Sequence, residues 1–285
     1  TAIYSTQDIG SAVSRYEEHQ FDRMLYVVGQ AQGDYFKQLF TILKMMGHTW
    51  ADRCEHVGFG LINLQEGKMS TREGTVVYLE ELLLKAVDRA RQIIEEKNPA
   101  LERKEEAARA IGVGAVKYQV LSVDKIKDMK FSWETALNFD GKSAPYIQYT
   151  YARANSILKK AGGSAGVSDS SQPFNPEHLQ GEEEYQLLRR MALFPLAVEA
   201  AVLPLFLGNY PQKGNRKENK NGPPQPEMIA TYAYELAKDF NKLYNNVHIL
   251  DDKEKLDSRL TLVSAYKTVL KNAMGLLGIG LPEEM

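Results

Sequence analysis

The sequence contains a single cysteine, Cys54, among its 285 residues. An intramolecular disulfide is therefore impossible, and so is a zinc site built from several cysteines. The five histidines, His19, His48, His56, His178 and His248, are scattered without metal-ligand spacing, so no metal site is expected. There is no apolar run long enough to span a bilayer and no signal peptide, which argues against a membrane partner and fits a cytoplasmic setting. Charge of neither sign dominates. Thirty-five Lys and Arg against 37 Asp and Glu leave a formal net charge of −2. That balance excludes a uniformly basic nucleic-acid coat but leaves room for a local basic site. No internal repeat is visible. What is present is a 44% hydrophobic content, enough to bury the cores of two domains.

The pattern along the chain changes once. Arg23-Met24-Leu25-Tyr26-Val27-Val28-Gly29 is short, apolar and stopped by Gly, and predicts a buried strand. Phe36, Leu39, Phe40, Leu43 and Met46 then recur at helical spacing, with Gly47 as the stop signal. A second short strand is expected over 54–62. Strand, helix, strand in this order predicts an α/β layer with parallel strands. After a polar loop from Gly67 to Gly74, an amphipathic helix is predicted over 79–97, broken by Asn98-Pro99. Beyond Lys104 the pattern is almost wholly helical, over 104–120, 146–161, 182–193, 227–250 and 252–277. Stretches 162–180 and 208–226 interrupt it as surface loops. The Lys/Arg/Asn run in the second loop is either solvated or in contact with RNA phosphates. Gly112-Val113-Gly114 lies in a helical run without a third Gly, which rules out a dinucleotide loop. The first residues, Thr1-Ala2-Ile3-Tyr4, read as a piece that begins inside a domain.

Chemistry concentrates at Gly67-Lys68-Met69-Ser70-Thr71-Arg72-Glu73-Gly74. Two cations and two hydroxyls in a glycine-hinged loop can close over a triphosphate. Lys68 and Arg72 can neutralise charge on a leaving pyrophosphate, and Ser70 can bond a phosphate oxygen. Taken alone, such a string is more often a solvated turn than a site, and composition does not decide between them. Asp8, following Ser5 and Thr6, can equally be a helix N-terminal charge or cap. Tyr146 and Tyr149, three apart, and Phe240 and Tyr244, four apart, each share a helix face. Such pairs either fill a core or stack on unpaired bases.

Taken together, these motifs resemble those of the arginyl-tRNA synthetase family of class I aminoacyl-tRNA synthetases. Lys68-Met69-Ser70-Thr71-Arg72 is similar to the Lys-Met-Ser-Lys-Ser signature in its Met-Ser-Thr-Arg form. Tyr4-Ser5-Thr6-Gln7-Asp8-Ile9 resembles Tyr-x-Thr-Arg-Asp-Ile. Tyr26-Val27-Val28-Gly29-Gln30-Ala31-Gln32 resembles the family's strand-end motif. The run from Phe139 to Arg153 resembles the entry to its helical domain, and Leu276 to Met285 its C-terminus. The resemblance implies the C-terminal half of a Rossmann-like nucleotide-binding catalytic domain over 1–140, followed by an α-helical anticodon-binding bundle over 141–285.

The resemblance also implies roles. Lys68, Ser70 and Arg72 would be catalytic. Tyr4, Asp8 and Gln32 would line the arginine pocket, where a carboxylate can accept two parallel N–H bonds from a guanidinium and thereby select arginine over lysine. Tyr146, Tyr149, Phe240 and Tyr244 would meet the anticodon. ATP would be a substrate with Mg2+ as its counter-ion, and the partners would be tRNA(Arg) and L-arginine, with the protein a monomer. Three positions depart from the family: Gln7 replaces the usual Arg, Tyr35 the usual His, and Glu73 a common Lys. The second class I signature, His-x-Gly-His, is absent from the chain, so the chain is expected not to form adenylate alone. Two other readings remain: a non-catalytic tRNA-binding paralogue using the helical domain, and a helical protein-interaction module.

Overall fold

The computed structural model describes residues 4–64, 78–162, 175–206 and 224–285, without the side chains of Leu64 and 203–206. The 67–74 loop with Lys68, Ser70 and Arg72, and most of the 208–226 stretch, lie outside the described residues.

Helix α1, Tyr4–His19, was not foreseen as a helix of this length. Its apolar residues Ile9, Ala12, Val13 and Tyr16 follow helical spacing and enter a cluster with Phe36, Leu39, Leu43, Trp50 and Cys54. Tyr16 stacks on Trp50 with ring centroids 4.9 Å apart. Strand β1, Met24–Gly29, pairs in parallel with β2, Cys54–Phe59, Met24 lying opposite Cys54 and Gly29 opposite Phe59. Helix α2, Gly33–Met45, makes the crossover that parallel strands require. The expected burial of β1 is corrected. Met24, Tyr26 and Val28 face the cluster, but Val27 on the other face is 65% exposed. Among the described residues the strand is covered on one side, so its side chains alternate between cover and exposure.

The single strand expected over 54–62 is two strands. After β2 the chain turns at Gly60 into β3, Ile62–Leu64, which pairs in parallel with β4, Met129–Phe131. Gly60 explains the break. A Cβ there would sit 2.3 Å from the Lys127 carbonyl oxygen, because the Gly60 N–H donates to the Lys125 carbonyl at 2.7 Å.

Helices α3, Leu79–Lys97, and α4, Lys104–Leu121, form a hairpin tied at its mouth by Arg91 to Glu105 and Lys104 to Glu95. Ala86, Ala90, Ala107, Ala108 and Ala115 fill its interface. Gly112, one of the glycines set aside as a nucleotide loop, belongs to this packing, while Gly114 faces Gln148 and Ala144 of the next helix. A short helix, α5, Trp133–Ala136, is capped by the Ser132 side chain, which accepts from the Thr135 N–H.

The remaining helices form the largest cluster. They are α6, Ala144–Lys160, α7, Glu182–Ala192, α8, Phe194–Phe206, α9, Pro226–Asn246, and α10, Leu256–Leu276. Helix α6 opens with Pro145 in its first turn, and its Ser143 cap accepts from the Tyr146 N–H, the arrangement that the orphan donors of a helix start favour. Helix α8 was not anticipated: its sequence is apolar nearly throughout and lacks the polar face that marks a surface helix. Tyr118 of α4 belongs to this cluster too, its hydroxyl donating to the Ala230 carbonyl at 2.9 Å.

Gly112 decides the α3–α4 distance. A Cβ there would lie 2.6 Å from the backbone carbon of Ala86 and from the backbone nitrogen of Val87. Alanine in a helix interior is favoured over glycine by about 1 kcal/mol, but forcing two packed backbones apart costs about 1–3 kcal/mol or more. Gly112→Ala is therefore expected to lower stability by about 1–2 kcal/mol net, read from urea denaturation. A stabilised variant would show that the hairpin is looser than described.

Candidate functional site

Asp8 sits in the second turn of α1, which excludes the N-cap alternative. The same helix face carries Ala12, fully buried, and Tyr4, 85% exposed, so Asp8 occupies the rim between core and solvent. Its carboxylate Oδ2 accepts a hydrogen bond from the Tyr35 hydroxyl of α2 at 2.5 Å. Among the described residues Asp8 forms no ion pair. Burial first, and the neighbouring Asp8 carboxylate second, push the Tyr35 phenol up to about 12, so it remains a donor throughout the physiological range. Tyr35 is held from behind by an edge-to-face contact with Phe36, centroids 5.4 Å apart.

Tyr26, on β1, completes this neighbourhood. Among the described residues its buried hydroxyl has no hydrogen bond of normal geometry, and Arg15 lies beside it. Burial raises its pKa, and the nearby Arg15 guanidinium opposes the rise only in part. Gln32 is exposed at the end of the short 3-10 turn before α2, one turn from Tyr35. Neither Gln32 nor Tyr4 bonds to Asp8 among the described residues. The structure thus joins Asp8 to a residue that sequence reasoning did not place among the site residues. The signal was available: Tyr35 follows Gln32 by three residues, so both lie on one side of the same turn.

A second cluster lies between α6 and α9. The Arg153 guanidinium carbon is 4.4 Å from the Tyr149 ring centroid and 4.6 Å from that of Tyr244. Its Nη1 donates to Asn241 Oδ1 at 2.6 Å. Tyr149 and Tyr244 are 38% and 40% exposed, leaving ring surface open beside a fixed cation. Tyr146 is half-buried against the core and tilted against Tyr234. The expectation for Phe240 is corrected. It is 0% exposed and stacked on Tyr266 with centroids 4.0 Å apart, so both its position and its ring face are committed to the core. Members of such a pair share one helix face, and here that face runs from the core at Phe240, under Tyr266, to the exposed rim at Tyr244. Of the cations near this face, Lys159 pairs with Glu284, while Arg153 is held by the tyrosines and Asn241.

Comparison with known proteins adds to this geometry. The family described as tRNA synthetases class I (R), catalytic domain, matches residues 1–133, and the DALR anticodon binding domain matches residues 147–285. A Clostridium botulinum protein named arginine–tRNA ligase is 42% identical over 99% of this chain, and one from Clostridium beijerinckii is 40% identical over all of it. The chain spans about half the length of these curated relatives, 46% in both cases. The solved Thermus thermophilus arginyl-tRNA synthetase matches with a TM-score of 0.74 and 27% identity, covering 100% of this chain and 50% of that one. The matched fold is a Rossmann-like class I catalytic domain joined to a helical domain. With both halves matched in order and arginine–tRNA ligases aligned along nearly the whole of it, the chain belongs to the arginyl-tRNA synthetase family.

Proposed function

We propose that the chain supplies the arginine-recognising wall and the anticodon-reading domain of an arginine–tRNA ligase. The observation that carries this reading is Asp8: a half-buried carboxylate engaged by a neutral hydroxyl and unpaired with any described cation. A guanidinium is a planar fork of five donors, and such a carboxylate can accept two of them. Tyr4, on the same helix face, can lie against the guanidinium plane, and Gln32 can accept a further N–H.

In the reaction, the arginine carboxylate attacks the α-phosphate of ATP, forming arginyl-adenylate and releasing pyrophosphate. The terminal ribose hydroxyl of tRNA(Arg) then takes the arginyl group. ATP is a substrate, accompanied by Mg2+ as counter-ion. Lys68, Ser70 and Arg72 would stabilise the charge that develops on the departing pyrophosphate, a role of positioning and electrostatics that needs no protein nucleophile. Tyr149 and Tyr244, with Arg153 between them, would stack on unpaired anticodon bases. Tyr146 would contribute a partial edge, and Phe240 would act only as their support. A monomer working in the cytoplasm fits this reading. No described helix is long and apolar enough to cross a membrane.

Three measurements test the proposal. Asp8→Asn is expected to weaken L-arginine binding to the chain by about tenfold or more, the loss of one charge-assisted hydrogen bond, as read by titration calorimetry. Unchanged affinity would remove Asp8 from the pocket. Tyr149→Ala and Tyr244→Ala should each weaken tRNA(Arg) binding by roughly five- to a hundredfold, since stacking on a base contributes about 1–3 kcal/mol. The readout is a filter-binding titration against tRNA with an altered anticodon, and equal binding of both tRNAs would reject the anticodon role. Because His-x-Gly-His does not occur in the sequence, the 285-residue chain should show no arginine-dependent ATP–pyrophosphate exchange. Robust exchange would mean that other residues hold the nucleotide.

A further inference from the structure

We propose that Tyr35 is a positioning residue for arginine recognition: its hydroxyl fixes the Asp8 carboxylate so that the remaining oxygen lone pairs face the incoming guanidinium. This inference rests on the reading of Asp8 as the guanidinium partner.

The geometry is specific. Asp8 and Tyr35 come from different helices, α1 and α2, 27 residues apart, and meet through Oδ2 at 2.5 Å. A carboxylate offers about four lone-pair sites. Tyr35 occupies one, leaving enough for a two-pronged guanidinium contact. Tyr35 itself has little freedom, since its ring is wedged against Phe36 and packed on the α1–α2 cluster. A carboxylate held by such a donor has lost its side-chain rotational freedom before the substrate arrives, so less is lost on binding. With its phenol raised to about 12, Tyr35 does not titrate in any physiological range. The buried Tyr26 hydroxyl, which has no normally formed hydrogen bond, interacts electrostatically with both partners. The region therefore holds a carboxylate, the phenol that donates to it and a second buried phenol beside Arg15.

Tying two helices together is the competing explanation for the same bond, and selectivity separates the two. L-Citrulline has nearly the shape of L-arginine but carries a neutral urea group in place of the guanidinium. A residue acting through Asp8 should affect the cationic ligand more. Tyr35→Phe keeps the ring and deletes only the hydroxyl. Wild-type chain, Tyr35→Phe and Asp8→Asn are titrated with both amino acids by competition calorimetry, with thermal unfolding followed in parallel. The expected result is that Tyr35→Phe reduces the preference for arginine over citrulline by about tenfold, the size of one hydrogen bond to a charged group, at nearly unchanged melting temperature. If Asp8→Asn removes the preference while Tyr35→Phe leaves it within twofold, Tyr35 is only a helix tie and the inference is overturned, with the Asp8 assignment intact. An equal loss for both ligands in Tyr35→Phe overturns it in the same way. If the wild-type chain shows no preference, the Asp8 assignment falls and the inference falls with it.

Discussion

The helical half is organised around one buried phenol. Tyr266 is fully buried, lies face to face on Phe240 at an interplanar angle of 7°, and shares a 2.7 Å hydrogen bond with Thr150. Burial drives its pKa far above the ordinary tyrosine value, so the hydroxyl stays neutral. A buried hydroxyl without a partner costs about 1–3 kcal/mol, so α6 must keep Thr150 within reach of α10. The ring stack likewise fixes α9 against α10. The surface geometry follows from these two restraints. Arg153 lies one turn beyond Thr150 on α6, and Tyr244 one turn beyond Phe240 on α9. The Tyr149–Arg153–Tyr244 cluster is therefore the outward continuation of a core contact, which is why its members can be both exposed and fixed in place.

The same helix couples the bundle to the α3–α4 hairpin. Gln148 is fully buried, and its amide nitrogen donates to the Ala110 carbonyl at 2.9 Å and to the Gly280 carbonyl at 2.7 Å. Lys117 reaches the Gly278 carbonyl at 2.6 Å, Asn155 the Glu283 carbonyl at 3.0 Å, and Asn98 the Met285 carbonyl at 3.2 Å. Met285 then packs into the hairpin cluster. Residues 278–285 thus act as a strap whose backbone carbonyls, lacking partners in a helix or sheet, are satisfied by side chains from both regions. Gly114 has no room for a side chain because Gln148 must pass it: a Cβ would lie 2.9 Å from the amide nitrogen.

The sequence was most legible where periodicity had a single interpretation. The strand–helix–strand order at 24–59 and the long amphipathic helices emerged within a few residues of their observed bounds. Misreadings have identifiable causes. β1 has an unbroken apolar run, which in a parallel sheet normally means cover on both faces, yet Leu25 and Val27 are exposed. Helix α8 offers no polar face for a periodicity argument to find. The 54–62 segment is interrupted by a backbone-to-backbone approach at Gly60, and that approach depends on residues 125–128, which no local pattern can reveal. In the site, family motifs pointed to Asp8 and Gln32, but Tyr35 was seen only as a departure from the expected histidine. Its contact with Asp8 depends on a meeting of two helices, a tertiary fact. Phe240 and Tyr244 are indistinguishable in sequence; only the position of Tyr266 decides which is core.

The choice of a neutral donor for Asp8 has a physical consequence. Had a lysine or arginine of the chain paired with this carboxylate, an arriving guanidinium would have had to displace it. A close ion pair at an effective dielectric of 20 is worth about 4 kcal/mol, so exchanging one cation for another would gain little. In the proposed pocket a tyrosine hydroxyl would orient the carboxylate without bringing a positive charge of its own. The proton on that hydroxyl must stay in place for this to work, and the elevated Tyr35 pKa ensures that it does. The carboxylate itself contributes to that elevation: a second negative charge at 2.5 Å would be strongly unfavourable, so Asp8 stabilises the protonated form of the residue that orients it. In the proposed pocket, the residue that orients Asp8 is thus kept in its donor state by Asp8 itself.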